Sequence, residues 1–90
     1  MLDVQYENSF KKDYKRAIKR GYNPALLEEV ITMLSNEEPL PPKFRDHALI
    51  GNYVGYRECH ITPDWLLIYK VKKDCLVLLL SRTGTHSDLF

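Results

Sequence analysis

Long apolar runs are what this 90-residue chain most conspicuously lacks. The longest, Cys75 to Leu80, falls far below the ~20 residues that a bilayer-spanning helix needs. No leader pattern opens the sequence, so a cytoplasmic protein with no membrane contact is expected. Cysteine is scarce too. Cys59 and Cys75 lack C-x-x-C spacing and sit in strand-like runs, which predicts small buried thiols of a reducing compartment rather than a disulfide. A surplus of one charge is also missing: 13 basic and 12 acidic residues leave a formal charge of +1. Net charge therefore neither supports nor excludes nucleic acid. There is no internal repeat, no low-complexity segment, and histidine occurs only three times.

What is present fits a single small domain over residues 1–90, 44% hydrophobic. A chain of this length buries roughly 60–65% of its unfolded surface, so its stability margin is modest unless a partner adds burial. Leu2 to Tyr6 alternates apolar and polar residues, as a half-buried strand does. Asn8 or Ser9 can cap a following helix, whose apolar stripe is Phe10, Tyr14, Ala17 and Ile18 and whose stop is Gly21. A second helix starts at the Asn23 cap and Pro24 and buries Leu26, Leu27, Val30, Ile31 and Leu34, forming an antiparallel hairpin with the first. The proline-bearing stretch from Glu37 to Phe44 is an irregular connector. Tyr56–Ile61, Trp65–Val71 and Cys75–Leu80 read as strands joined by short turns, hence antiparallel hairpins. The last is apolar on both faces and belongs inside the sheet.

The charges are unevenly placed. Lys11, Lys15 and Lys19 form one i, i+4 row on the first helix, and Lys12, Arg16 and Arg20 form the next. Such rows disfavour an isolated helix; they fit either contact with a polyanion or a solvated face.

Residues suited to chemistry gather at element ends, where a scaffold can present them to a ligand. His60, Asp64 and Trp65 surround the Thr62-Pro63 turn, His47 precedes a glycine-bearing loop, and Arg82 and His86 follow the last apolar strand. Each has a plain structural alternative: His60 as a hydrogen-bonded strand residue, Asp64 as a turn former, Arg82 as an ion-pair partner of Asp88, Trp65 as a core anchor. The three histidines and Asp64 as a zinc site is disfavoured, because such sites usually include a close ligand pair such as two histidines three to five residues apart, and these histidines are at least 13 apart.

Three separated segments carry a family likeness: Arg-Asp-His-Ala-Leu-Ile-Gly at 45–51, Gly-Tyr-Arg-Glu-Cys-His-Ile-Thr-Pro-Asp-Trp-Leu-Leu-Ile-Tyr at 55–69, and Ser-Arg-Thr-Gly-Thr-His-Ser-Asp-Leu-Phe at 81–90. Together they resemble the YafQ branch of the RelE/ParE-like toxin superfamily. The resemblance implies an α+β, RelE-like compact fold ordered β-α-α-β-β-β, an antiparallel sheet packed by an N-terminal helical hairpin. It implies the toxin of a type II toxin-antitoxin system, a ribosome-dependent endoribonuclease that cleaves mRNA in the ribosomal A site by 2'-hydroxyl attack. Its partners would be a cognate antitoxin, the 70S ribosome and mRNA, with operator DNA reached only through the antitoxin complex. No metal or cofactor is implied.

Cleavage by the 2'-hydroxyl needs a proton acceptor, a donor for the departing 5'-oxygen, and positive charge beside the phosphorane. Histidine suits both proton roles because it titrates near working pH. Matched to the family, His86 is the general acid, His47 or Asp64 the general base, His60 a positioning residue and Arg82 the phosphate clamp. Trp65 and Phe90 are candidates for substrate stacking. Lys11, Lys12, Lys15, Arg16, Lys19 and Arg20 are candidates for ribosomal RNA contact. The rival on the same fold is a non-enzymatic toxin that binds a target such as DNA gyrase; it would leave the histidines without a role.

Overall fold

The computed structural model describes residues 1–90. Its elements are β1 (Asp3–Tyr6), α1 (Asn8–Lys19), α2 (Pro24–Ser35), β2 (His47–Ala48), β3 (Arg57–Thr62), β4 (Trp65–Lys72), β5 (Val77–Gly84) and α3 (His86–Leu89), with 3-10 turns at Pro42–Phe44 and Gly51–Tyr53. This is the expected α+β order, with the short β2 and the terminal α3 added to it.

The helices begin and end for local reasons. Glu7, not Asn8 or Ser9, occupies the cap of α1, without a side-chain cap bond. The Ser9 hydroxyl is committed elsewhere: it donates to the Ser81 carbonyl at 2.7 Å and ties the first turn to β5. Gly21, at φ 87°, reverses the chain in the left-handed region. Its N–H bonds the Ile18 carbonyl while that of Tyr22 bonds Ala17, which satisfies carbonyls the helix end would leave free. Asn23 accepts from the Ala25 N–H and caps α2.

The sheet runs β1-β5-β4-β3-β2. Neighbours from β2 to β5 are antiparallel, as short connections demand. β1 instead pairs parallel to β5, from Asp3↔Val77 to Tyr6↔Leu80. The sheet is therefore mixed rather than wholly antiparallel, because no turn joins β1 to its partner and fixes a direction. β5 also runs beyond the expected Leu80 to Gly84. It does so through a bulge at Ser81, since Leu80 opposes Tyr69 while Arg82 opposes Ile68.

The Trp65, Leu67 and Tyr69 face of β4, with Cys59, Ile61, Leu78 and Leu80, packs under Phe10, Ala17, Leu27, Val30 and Leu34 of the helices. The opposite face, Leu66 and Ile68, is covered only by Leu89, Leu49, Tyr53 and Tyr56. Cys59 lies in the first layer, and burial, with Asp46 and Glu58 nearby, pushes its thiol up to about 12. Cys75 departs from expectation: it is exposed, in the turn before β5 where Leu76 takes φ 54°, so it never enters the strand.

Candidate active site

Directly opposed residues of neighbouring strands share a face of the sheet. His47 opposes Glu58, Glu58 opposes Ile68, and Ile68 opposes Arg82. One row across four strands thus puts His47, Glu58 and Arg82 on the thinly covered face. Two residues along β3, the strand period returns His60 to that face. His60, Asp64 and His86, from β3, the β3–β4 turn and α3, then line a cleft of about 460 Å³ with Tyr22, Leu66 and Thr85 among its other walls.

Behind the cleft lies a carboxylate that the sequence reading passed over. Glu58 is 5% exposed. Its Oε1 is 3.5 Å from His47 Nε2 and 3.7 Å from His60 Nε2, and its buried Oε2 has no hydrogen-bond partner. The other ring nitrogens face carbonyl oxygens, His47 Nδ1 at 2.7 Å from Arg45 and His60 Nδ1 at 3.3 Å from Pro63. Carbonyls only accept, so each Nδ1 carries a hydrogen. Both Nε2 atoms therefore turn toward one carboxylate oxygen. Both contacts, at 3.5 and 3.7 Å, are within ion-pair distance and join the two rings through a single carboxylate.

His47 is itself held by its neighbour Asp46. The Asp46 carboxylate accepts from Arg57 Nη2 at 3.1 Å and from the Tyr69 hydroxyl at 2.5 Å. Burial and the bond to Asp46 raise the Tyr69 phenol well above its ordinary range.

Arg82 turns toward α1. Its Nε donates to Asp13 Oδ2 at 2.6 Å and its Nη2 to Oδ1 at 3.3 Å. The Thr83 N–H and Arg16 Nη2 donate to the same carboxylate. The bond to Asp13 holds the guanidinium above its ordinary pKa, making it a fixed positive charge. Its partner is Asp13, not Asp88.

His86 opens α3, whose geometry is set by a capping box. Thr85 Oγ1 accepts from the Asp88 N–H at 3.2 Å, and Asp88 Oδ2 from the Thr85 N–H at 2.9 Å. Asp88 also receives Arg20, and this bond above all holds its carboxyl well below the usual range. Phe90, 54% exposed, stacks on His86 at 4.9 Å between centroids and meets Tyr53 edge-on at 5.7 Å.

Trp65 departs from the expected substrate-stacking role. It is 2% exposed, its ring contacts Tyr22 at 4.9 Å, and its Nε1–H donates to Thr83 Oγ1 at 2.8 Å. It anchors the cleft from within the core and offers no free face to a base. The five basic residues of α1 and Arg20, which follows it, divide. Arg16 and Arg20 are drawn into pairs with Asp13 and Asp88. Lys11 and Lys15 border an apolar hollow with Tyr6, Phe10, Tyr14 and Ile31. Lys12 and Lys19 are exposed.

Asp13 and Glu58 had sequence signals. Asp13 falls three residues after Phe10 and four before Ala17, on the buried stripe of α1, and Glu58 falls two residues before His60 on one strand face. No group of three or more His, Cys, Asp or Glu side chains is arranged to hold a metal ion. No helix is long and apolar enough to cross a membrane.

Residues 2–90 match the family described as the bacterial toxin of type II toxin-antitoxin system, YafQ. The mRNA interferase toxin YafQ of Escherichia coli K12 is 43% identical over 89 residues, covering 98% of this chain and 95% of that protein. A metal-bound toxin from Helicobacter pylori superposes with TM-score 0.94 at 44% identity, each chain covered in full. A chain of the E. coli DinJ-YafQ complex superposes at 0.89 with 42% identity, over 100% of this chain and 99% of that one. The order of elements, the cleft and the full-length likeness lead to one assignment: the chain belongs to the YafQ family of toxins from bacterial type II toxin-antitoxin systems.

Proposed function

We propose that this chain, as a single toxin domain over residues 1–90, is a ribosome-dependent endoribonuclease that cleaves mRNA in the A site and halts translation. The observation that carries this reading is the cleft in which His60, Asp64 and His86 meet from three separate segments. A proton donor and a proton acceptor lining one cavity are what transesterification by a 2'-hydroxyl requires. The likeness to mRNA interferase toxins supports the same chemistry.

In this scheme Asp64 takes the proton of the 2'-hydroxyl as its oxygen attacks the adjacent phosphorus. His86 protonates the departing 5'-oxygen, so the products are a 2',3'-cyclic phosphate and a free 5'-hydroxyl. Asp64 is preferred to His47 as base because it lines the cleft with His86, whereas His47 approaches it through Glu58 and His60. His60 orients the substrate, backed by the buried Glu58 carboxylate. Arg82, fixed by Asp13, adds positive charge on the same sheet face, and Phe90 offers an aromatic surface for a base. The related H. pylori toxin has been solved with metal bound. Here the donor groups do not form a metal-holding set, and no step is routed through an ion.

The cytoplasmic partners in this reading are the ribosome, engaged through the exposed lysines of α1, and a cognate antitoxin. The solved DinJ-YafQ toxin-antitoxin complex supports the latter, and operator DNA is then reached only through such a complex.

The test is primer extension on a defined mRNA with and without 70S ribosomes, comparing the wild type with His86→Ala. In-frame cuts that need ribosomes and vanish in the variant are the expected result. Folded wild-type protein that never cuts would overturn the reading and point to a binding-only toxin, with DNA gyrase the first target to assay.

A further inference from the structure

α3 has only four residues, His86–Leu89, too few to hold a helical turn by their own hydrogen bonds. Three features hold it. The capping box closes on itself between Thr85 and Asp88. Leu89 is 6% exposed and packs on Leu66 and Ile68, which fixes its depth against the sheet. The third is Arg20, the residue that follows α1, which closes a two-pronged bond on Asp88, Nη1 to Oδ2 at 2.6 Å and Nη2 to Oδ1 at 3.2 Å. Arg16 Nη2 stands 3.9 Å from the same Oδ2.

Gly84 shows how closely this carboxylate is seated. A Cβ at Gly84 would stand 2.9 Å from Asp88 Oδ2, and its backbone lies at φ 155°. A planar fork bonded through both nitrogens fixes the orientation of its partner as well as its distance. Asp88 lies two residues after His86 in the same turn, and Phe90, stacked on His86, lies two residues beyond. The turn that carries His86 is therefore tied to the end of α1.

We propose that Arg20 is a positioning residue that fixes His86 in the cleft through Asp88, rather than a ribosomal RNA contact. The inference rests on the ribonuclease reading, in which His86 is the general acid. A largely exposed ion pair adds little to stability at neutral pH, so its loss should appear chiefly in the chemical step.

The test measures kcat and KM for cleavage of ribosome-bound mRNA by wild type, Arg20→Gln, Arg20→Lys and Lys12→Gln. Misplacing a catalytic group by an ångström costs up to about 100-fold. Arg20→Gln should therefore lose about 10- to 100-fold in kcat with KM within about twofold and only a small fall in melting temperature at neutral pH. Arg20→Lys, keeping the charge but not the fork, should recover only part of the loss. Lys12→Gln, exposed on the same helix, should raise KM and flatten the salt dependence. An Arg20→Gln variant with normal kcat and raised KM, or an Arg20→Lys variant equal to wild type, would overturn the proposal.

A second readout separates this proposal from the activity on which it rests. In NMR spectra of the free protein, the His86 and Phe90 ring resonances should be dispersed in wild type and averaged toward random-coil positions in Arg20→Gln. If they are unmoved, the clamp is refuted whether or not the protein cleaves. If they move while the wild type cuts no mRNA, the clamp stands and the ribonuclease reading falls.

Discussion

Asp13 holds Arg82 by two bonds, at 2.6 and 3.3 Å, from the buried stripe of α1. Arg16 and the Thr83 N–H share the same carboxylate. Removing the acceptor orphans three donors at once, two of them charged. Asp13→Ala should cost about 1–3 kcal/mol, measured by urea unfolding, and should reduce cleavage although no substrate touches residue 13. Full stability in the variant would show that the network does not support the fold.

Glu58 predicts a separation in the other direction. Glu58→Gln keeps the shape of the side chain but removes a buried charge whose Oε2 has no partner. A buried carboxylate oxygen with no partner carries a desolvation cost that a neutral amide largely escapes, so the melting temperature should fall little. His47 and His60 lose the carboxylate that both Nε2 atoms face, and cleavage should drop about 10- to 100-fold. Unaltered cleavage with a lower melting temperature would reduce Glu58 to a structural residue.

Trp65 and Phe90, both candidates for stacking on RNA, should now behave oppositely. Trp65→Ala empties a site 2% exposed and should destabilise by about 3–5 kcal/mol. Phe90→Ala, at an exposed ring, should change stability by about 0.5 kcal/mol or less while impairing cleavage. Thermal melts paired with primer extension distinguish them.

The Asp88 carboxyl titrates lower in the folded chain than in the unfolded one. Its contribution to stability is thus fully present above the unfolded value, near pH 4, and is lost as pH falls through the folded value. Below about pH 4 the melting temperature of wild type should decline more steeply than that of Asp88→Asn. Parallel acid limbs would mean that other carboxylates dominate.

The two thiols should differ in reactivity. Cys59 is buried with its pKa pushed up to about 12, whereas Cys75 is exposed, and alkylation needs an accessible thiolate. At pH 8 native protein should label once, at Cys75, and twice after denaturation. Prompt labelling of Cys59 in the native state would reveal opening of the sheet.

Much of this arrangement was legible in the residues. The apolar stripe of α2, the Asn23 cap and the three turn-linked strands follow local rules of period and capping. The histidines, Asp64 and Arg82 were found at element ends because polar groups suited to proton transfer stood out there. The rest depends on distant partners. Parallel pairing of β1 with β5 has no local signature, since no turn links the two strands. Cys75 looked like strand because the apolar run after it continues, yet a left-handed Leu76 separates it from β5. Arg16 and Arg20 looked like part of one basic surface, and only the approach of α1 to β5 and α3 turns them inward. Trp65 could not be placed by alternation, because both faces of β4 are apolar.

The pairing of β1 with β5 also bears on when the protein acquires its activity. Contacts such as Asp13 with Thr83 and Arg20 with Asp88 join residues about 70 positions apart, and non-local pairing of this kind slows folding. During synthesis α1 and α2 emerge early, but neither the sheet edge for β1 nor the turn bearing His86 exists until the segment beyond residue 77 has left the ribosome. A chain stalled before that point has His47, His60 and Asp64 but neither His86 nor a closed cleft, so under the proposed mechanism it cannot cleave RNA.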